Sequence, residues 1–233
     1  MLSPDNVKKF LREALNEDIG RIDLTTTFLI PSSANIKANI IAKSSGIAAG
    51  LPIVEMLYSC LNRNLRIKFN VKEGGEVEAG KAVCFIEGQA TSILKGERLA
   101  LNILSRLSGI ATLTKKFADK ARPYNVEIFD TRKTTPNMRY LEKYAVKLGG
   151  GRNHRMGLYD QILIKDNHLA VLKELKSSSK QDKPFVITDS VKTVRKRAQK
   201  NVKVEIEVRN IAEFEEALAA ETDIILLQSA TSH

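Results

Sequence analysis

Three short stretches of the sequence carry side chains suited to binding an anion. Residues 130–136 read DTRKTTP, residues 149–155 read GGGRNHR and residues 165–168 read KDNH. Arginine presents a planar pair of donors that fits a carboxylate or a phosphate, and lysine adds a mobile positive charge. Side chains of these types, repeated in three places, indicate a pocket for a small molecule that carries several negative charges.

Each of the three stretches also has a plainer explanation. An arginine next to a lysine is usually part of a solvated surface, and three consecutive glycines can be only a flexible turn. A single histidine such as His168 is more often a hydrogen-bonded helix cap than a base. Because all three stretches have the same charge, we favour a common site, whose candidate residues are Arg132, Lys133, His154, Arg155 and Lys165. In that site the hydroxyls of Thr134 and Thr135 would add donors, and glycines 149–151 would let the backbone approach the ligand closely.

Two glutamates occupy an apolar stretch, VKVEIEV, at residues 202–208. Glu205 and Glu207 are two residues apart, so on a strand they share one face. Burying unpaired carboxylates is costly. We therefore expect this face to line a polar cavity that holds cations or a metal ion.

The elements that must position these residues alternate between strand and helix from residue 121 onward. Strands are predicted at 126–131, 161–167, 185–189, 202–208 and 223–228, and helices at 137–148, 169–177, 190–200 and 211–221. This alternation is typical of parallel βα units, in which catalytic and binding residues lie at the carboxyl ends of the strands. The candidate cations follow the predicted strands, which favours a site at that edge.

The earlier part of the chain has a different pattern. Helices are predicted at 4–17 and 50–62, a strand at 36–42, short strands through 65–94, and a long helical section at 95–121 with a break at Gly109. The stretch VKEGGEVEAGKAVCFIEG is similar to the hairpins of lipoyl and biotinyl carriers, but the flanking pattern of a carrier lysine is absent around Lys81, so we interpret it as structural. The sequence thus predicts two domains, residues 1–120 and residues 121–233.

The composition narrows the class of partner. Lys and Arg outnumber Asp and Glu by 37 to 27, giving a net charge of +10, which suits nucleic acid, an anionic membrane or a polyanionic small molecule. Nucleic acid is disfavoured because aromatics are only 6% and no helix-turn-helix, zinc or RRM signature is present. No signal-like segment or run of about 18 apolar residues occurs. We expect a cytoplasmic protein without membrane or nucleic-acid partners, with Cys60 and Cys84 as buried thiols.

Four strings together resemble the quinolinate phosphoribosyltransferase family. They are EDIGRIDLTT (17–26), GERLALNILSRLSGIAT (96–112), DTRKTTPNMRYLEKYAVKLGGGRNHRMGLYDQILIKDNH (130–168) and VEIEV (204–208). The resemblance covers about residues 3–227. A molybdenum-transport-associated paralogue shares part of the pattern, so the resemblance specifies the family more firmly than the substrate.

The resemblance implies a fold and a reaction. The fold is α/β, an N-terminal α/β sandwich domain followed by an open α/β barrel. In the reaction, quinolinate and phosphoribosyl pyrophosphate, with Mg²⁺, give nicotinate mononucleotide, pyrophosphate and CO₂. A dicarboxylate and a pyrophosphate ester both require a basic pocket, in agreement with the residues above.

The resemblance also implies roles for single residues. The quinolinate-binding cations match Arg132, His154, Arg155 and Lys165. Arg98 matches an arginine that the family supplies to the neighbouring subunit's pocket, which implies a homodimer or a higher homo-oligomer. Lys133 matches the lysine near phosphoribosyl pyrophosphate, and Glu207, with Glu205 as its strand partner, matches the acid near the ribose and Mg²⁺. The implied catalytic residues are Lys133, Glu207 and Lys165.

The sequence departs from the family pattern near its end. Gln228 stands where the family has an aspartate, and a neutral amide is a poor Mg²⁺ ligand beside a carboxylate. The chain ends at His233, whereas family members continue through further βα units that carry the glycine-rich site for the ribose 5′-phosphate. We therefore expect an incomplete barrel, partly retained quinolinate binding and weak or absent turnover. An active enzyme, an inactive relative and a transferase for another aromatic acid all remain open.

Overall fold

The computed structural model describes residues 3–177 and 187–228. The chain forms two compact units, Met1–His154 and Arg155–His233. The predicted domain boundary near residue 120 stays a prediction, since compactness alone does not define it. Within the described ranges, no helix combines the length and the apolar character that crossing a bilayer requires.

The first unit combines helices with two small antiparallel sheets. Its helices are α1 (Pro4–Ile19), α2 (Leu24–Leu29), α3 (Leu51–Leu61), α4 (Ala90–Ala121) and α5 (Arg139–Leu148), with a short 3-10 turn at Arg122–Tyr124. Its strands are β1 (Asn35–Ile41), β2 (Gly46–Ile47), β3 (Arg66–Phe69), β4 (Glu76–Val77) and β5 (Ala82–Gln89). The strands pair in the orders β1-β5-β3 and β2-β4, and both sheets are antiparallel.

The core of the first unit lies between α3, α4 and the inner face of β5. Ile53 and Leu57 on α3 pack in one cluster with Leu107 on α4 and Ile86 on β5, and all four are at most 1% exposed. The amino end of α3 is capped from a distant turn, because the Glu73 carboxylate accepts the backbone N–H groups of Gly50 at 2.8 Å and Leu51 at 2.9 Å. Both donors would otherwise lack a partner at the helix end.

Helix α4 runs without interruption through Gly109, so the predicted break there is wrong. The buried stripe of Ile103, Leu107, Ala111 and Thr114 continues across it at helical spacing. Packing of this stripe outweighs the roughly 1 kcal/mol that a mid-helix glycine costs. The predicted strand at residues 90–94 is also wrong. These residues form the start of α4, where Ala90, Ser92 and Ile93 are buried.

The second unit carries a parallel sheet. Its elements are β6 (Ile162–Ile164), α6 (Asp166–Ser177), α7 (Ile187–Arg197), β7 (Val204–Val208), α8 (Ile211–Ala219) and β8 (Ile224–Leu227). The strands pair in the order β6-β7-β8, all parallel. Val204, Ile206 and Val208 of β7 pack on Val191 of α7 and Ala217 of α8. The prediction of parallel βα units in an α/β fold is confirmed.

Two of the five predicted parallel strands are not strands in the described residues. Residues 126–131 form only one parallel bridge, Phe129 to Arg152, and Val126 and Phe129 are exposed. Ile187 begins α7. The amino end of this helix is capped by the Glu216 carboxylate, which accepts the N–H of Thr188 at 3.1 Å. Phe185 and Val186 lie outside the described residues.

One of the two cysteines differs from prediction. Cys84 on β5 is buried as expected, and burial raises its pKa to about 12. Cys60 is exposed, so the expectation of a buried thiol is wrong there. Cys60 lies on α3, whose other face carries the buried side chains.

Candidate substrate site

Two of the cation-bearing stretches lie side by side in the first unit. The N–H of Asp130 donates to the carbonyl of Arg152 at 3.1 Å, and the N–H of Arg152 donates to the carbonyl of Ile128 at 2.7 Å. This short parallel pairing places the segment that leads to Arg132 beside the segment that leads to His154. The structure therefore brings these two predicted stretches together.

The loop at residues 131–135 is stabilised by hydrogen bonds to the hydroxyls of its threonines. The hydroxyl of Thr131 accepts the N–H of Lys133 at 3.0 Å. Thr134 accepts from the guanidinium of Arg139 at 3.0 Å, and Thr135 accepts from Arg106 at 2.6 Å. Both hydroxyls thus accept hydrogen bonds within the loop, and the expectation that Thr134 and Thr135 donate to a ligand stays a prediction.

Arg132 is the most informative side chain in this loop. It is half-buried, and its Nε atom is buried without a hydrogen-bond partner among the described residues. Leaving such a donor unsatisfied costs about 1–3 kcal/mol. A carboxylate brought to this side chain would supply the missing acceptor once the guanidinium turned out of its buried position. Lys133, its neighbour, is exposed.

The glycines at 149–151 pack against α4. A Cβ on Gly149 would lie 2.3 Å from the carbonyl oxygen of Ala111 and 2.7 Å from Cβ of Thr114. A Cβ on Gly151 would lie 2.9 Å from Cγ2 of Thr114 and 2.7 Å from Cγ1 of Val146. Gly149 and Gly151 therefore make room for packing of the loop on α4 and α5, and the expectation that these glycines bring the backbone close to a ligand stays a prediction.

A buried ion pair lies under the same loops, and the sequence patterns did not reveal it. Lys143 on α5 contacts the carboxylate of Asp130, and their side chains are 1% and 7% exposed. The N–H of His154 donates to Asp130 at 2.9 Å, and Lys143 donates to the carbonyl of His154 at 3.0 Å. From the sequence, Lys143 is indistinguishable from the surface lysines around it.

A second carboxylate also braces the loop. Glu142 on α5 accepts from Arg106 at 2.6 Å and from the N–H of Thr135 at 3.3 Å. Burial acts to raise the pKa of Glu142, but the hydrogen bonds from Arg106 and Thr135 outweigh it, so the pKa lies below its ordinary value. This carboxylate therefore stabilises the fold in its charged form.

The low pKa of Glu142 predicts an acid-dependent loss of stability. Its contribution is present above the ordinary glutamate pKa and is lost as the pH falls through the lowered value. In Glu142→Gln, we expect a cost of about 1 kcal/mol at neutral pH and a weaker dependence on pH between roughly 5 and 3. Urea denaturation across that range measures both, with Glu127→Gln in an exposed pair as the control. Parallel pH profiles for wild type and Glu142→Gln would contradict the prediction.

In the second unit, Arg155 is held by a residue that the sequence did not single out. Its Nη1 donates to the carbonyl of Gln161 at 3.1 Å, and the side-chain amide of Gln161 donates to Glu205 at 2.7 Å. Arg155 and Glu205 are both buried, at 7% and 3% exposed. Gln161 thus links the arginine to the carboxylate. The role of Glu205 in this network is structural.

The carboxyl edge of the parallel sheet carries the remaining predicted residues of this unit. Lys165 directly follows β6 and is exposed, Glu207 is the penultimate residue of β7 and is half-buried, and Gln228 directly follows β8. Glu205 and Glu207 lie on the face of β7 opposite the apolar core residues, as predicted. Nδ1 of His168 accepts the N–H of Lys165 at 2.9 Å, so the interpretation of His168 as a helix cap is confirmed.

Arg98 lies apart from these loops in the sequence, on the exposed side of α4 in the first unit. It is in the same unit as Arg132, Lys133 and His154, whereas the second unit holds Arg155, Lys165 and Glu207. In the described residues, no group of three or more His, Cys, Asp or Glu side chains has the geometry to hold a metal ion.

These features define a class of protein. An α/β chain with arginines and lysines at loops and strand ends has the charged groups that proteins use to bind small polyanionic substrates. The matched family models narrow this class. Residues 23–108 match the N-terminal domain of quinolinate phosphoribosyl transferase, and residues 110–233 match its C-terminal domain. The chain belongs to the quinolinate phosphoribosyltransferase family.

Relatives and solved structures agree with this assignment. A "probable nicotinate-nucleotide pyrophosphorylase (carboxylating)" of Bacillus subtilis is 39% identical, over 96% of this chain and 73% of the relative. Quinolinate phosphoribosyltransferase (decarboxylating) 1b of Nicotiana tabacum is 38% identical, over 91% of this chain and 58% of the relative. The crystal structure of NadC from Streptococcus pyogenes superimposes with a TM-score of 0.87 at 35% identity, over 99% of this chain and 78% of that one.

Proposed function

We propose that this chain transfers the phosphoribosyl group of phosphoribosyl pyrophosphate to quinolinate, with loss of CO₂. The products are nicotinate mononucleotide and pyrophosphate, in a step of NAD biosynthesis. The names of the relatives from Bacillus subtilis and Nicotiana tabacum support this reaction. The observation that carries the proposal for this chain is Arg132, whose buried Nε lacks an acceptor in the described residues of an otherwise braced loop.

Binding of quinolinate is assigned to four basic side chains. Arg132 would pair with a carboxylate in the bidentate manner of a guanidinium, and the positions of His154, Arg155 and Lys165 in the family's motif support the same role. The hydrogen bonds that hold the main chain of His154 and the guanidinium of Arg155 favour catalysis. A substrate held in line with the anomeric carbon avoids the entropy cost of a bimolecular encounter.

Transfer of the ribosyl group is assigned to Lys133 and Glu207. As pyrophosphate leaves, the ribose gains oxocarbenium character, which a carboxylate stabilises, while a lysine stabilises the charge on the departing diphosphate. Glu207 is half-buried at the end of β7, and Lys133 is exposed in the loop of the first unit. Lys165 would help to neutralise the carboxylate that remains after decarboxylation.

The donor set fits one magnesium ion carried by the diphosphate. Mg²⁺ is usually held by one or two carboxylates together with substrate phosphates. Glu207 would supply the carboxylate, and Gln228 offers a neutral oxygen in place of the family's aspartate. When bound, the ion neutralises negative charge on the leaving pyrophosphate.

Gln228, which stands where the family has an aspartate, supports a second hypothesis, that this chain turns over only weakly. We expect Gln228→Asp to increase the rate at limiting Mg²⁺ and to lower the Mg²⁺ concentration for half-maximal rate by about tenfold, because a charged ligand replaces a neutral one. Titrating Mg²⁺ in the pyrophosphate-release assay measures this, with Gln199→Asp outside the candidate site as the control. An unchanged Mg²⁺ dependence in Gln228→Asp would remove Gln228 from the metal site.

Assembly as a homodimer or a higher homo-oligomer is also proposed. Arg98 is exposed on α4, and the family's motif assigns the matching arginine to the neighbouring subunit's pocket. Sedimentation of the purified chain tests this directly. A monomer that still turned over quinolinate would contradict the role proposed for Arg98.

The test of the function is Mg²⁺-dependent release of pyrophosphate from phosphoribosyl pyrophosphate, with and without quinolinate. Quinolinate-dependent release supports the proposed reaction. Quinolinate binding without release supports an inactive relative. Release that depends on another aromatic acid but not on quinolinate would identify a related transferase and overturn the proposed substrate.

A further inference from the structure

The buried pair of Asp130 and Lys143 has contacts that a simple core ion pair does not need. One oxygen of the Asp130 carboxylate accepts from Lys143 and from the N–H of His154 at 2.9 Å. The other accepts from the amide nitrogen of Asn153 at 2.8 Å, with that amide in the orientation that satisfies both of its ends. Lys143 then donates to the carbonyl of His154 at 3.0 Å.

These bonds fix the main chain on both sides of one residue. The N–H of His154 is bound to the anion of the pair, and its carbonyl is bound to the cation. The peptide groups that flank His154 therefore have little freedom to rotate. The N–H of Asp130 also donates to the carbonyl of Arg152 at 3.1 Å, so Asp130 connects the two loops through its backbone as well as its side chain.

Lys143 does not have the accessibility of a substrate-binding group. Its side chain is 1% exposed, and that of Asp130 is 7% exposed. A lysine this deeply buried acts on a ligand only through the residues it holds. The two residues that it and Asp130 hold directly are His154, by its backbone, and Asn153, by its side-chain amide.

We infer that Asp130 and Lys143 are a positioning pair, which fixes the main chain of His154 and thereby the orientation of its imidazole for a carboxylate of the substrate. The inference rests on the proposed function. Apolar residues of similar volume often replace a buried ion pair without loss of stability, so stability alone does not require one here. An apolar pair also has no group that binds both the N–H and the carbonyl of His154.

The test compares the 233-residue chain with its double variant Asp130→Asn/Lys143→Met, which removes both charges and leaves neither ion unpaired. The matched control is Lys115→Met/Asp119→Asn, which removes an exposed ion pair from α4 in the same unit. Three quantities are measured: the melting temperature, the quinolinate affinity by calorimetry, and the imidazole signals by NMR. The chain has three histidines, so His154 and His168 are assigned by single substitutions.

We expect the double variant to shift or broaden the imidazole signal of His154 and to leave that of His168 in place. Quinolinate affinity should fall by about tenfold or more, the scale seen when residues that orient a binding group are changed. If the chain turns over, the KM for quinolinate rises while the KM for phosphoribosyl pyrophosphate is unchanged. The control variant should alter none of these. A merely structural pair would lower the melting temperature without separating the two KM values.

The inference is overturned if the double variant folds with an unchanged His154 signal, or if its quinolinate affinity stays within twofold of wild type. Should the double variant not fold, Asn153→Ala removes one bond to Asp130 and is judged by the same signals. If wild type itself does not bind quinolinate, the proposed function fails, and the His154 signal alone still decides whether the pair positions this residue.

Discussion

We expect an Arg132→Met variant to lose about a hundredfold in quinolinate affinity while its fold is at least as stable as that of the wild type. Hydrogen bonds to a charged group contribute about 1.5–3 kcal/mol, and about 2.7 kcal/mol corresponds to a hundredfold in affinity. The buried Nε of Arg132 has no acceptor among the described residues, so removing it also removes an unsatisfied donor. Loss of binding with an unchanged or higher melting temperature is the signature of a residue that serves a ligand.

Calorimetry with quinolinate and thermal denaturation on the same samples check both halves of this prediction. The matched control is Arg66→Met, which removes an exposed arginine from β3 in the same unit and should change neither quantity. An Arg132→Lys variant should recover only part of the affinity, because an ammonium group cannot bind a carboxylate with two parallel donors. If Arg132→Met left the quinolinate affinity unchanged, Arg132 would not bind quinolinate, and the proposed function would lose its main support from this chain.

In the second unit, the sequence predicted best those elements in which a short apolar run is bounded by polar residues. β6, β7 and β8 each lie within a predicted strand, and α8 lies within a predicted helix. The segment at 126–131 has a similar composition but only one bridge partner, at Arg152. Whether an apolar run becomes a strand depends on a neighbouring strand to pair with, and local composition does not contain that information.

The candidate site residues could be proposed from their charge alone, whereas the residues that support them could not. The cations of DTRKTTP and GGGRNHR are visible because several like charges at expected strand ends are unusual. Lys143 and Gln161 carry no such signal, since their functions come from distant partners, Asp130 and Glu205. The hydrogen bonds that orient a binding residue form between segments far apart in sequence. They become visible only once the chain is folded.

The glycines of GGGRNHR show how one pattern can have two physical causes. A glycine run is compatible with a ligand approaching the backbone, with a flexible turn, or with close packing of two chain segments. The positions of Ala111 and Thr114 on α4 show the third cause at Gly149 and Gly151. The segment that leads to the cations of this stretch is therefore packed against α4.

Close packing at Gly149 predicts a large loss of stability from a single methyl group. In Gly149→Ala, the new Cβ would lie 2.3 Å from the carbonyl oxygen of Ala111, a backbone atom inside α4 that cannot move without bending the helix. We expect a cost of about 3 kcal/mol, the upper part of the range for overpacking. For a chain of this size, that lowers the melting temperature by roughly 6–12 °C.

Gly109→Ala is the matched control. It also replaces a glycine by alanine, but at a position in α4 where nothing lies within 4 Å of the new Cβ. It should stabilise the protein by up to about 1 kcal/mol, the difference in helix propensity between alanine and glycine. Thermal denaturation of both variants measures the two opposite shifts. Equal shifts would mean that the packing of Gly149 on α4 is not what fixes the loop. Opposite shifts, with quinolinate affinity lowered only in Gly149→Ala, would show that the position of the cationic loop depends on the helix beneath it.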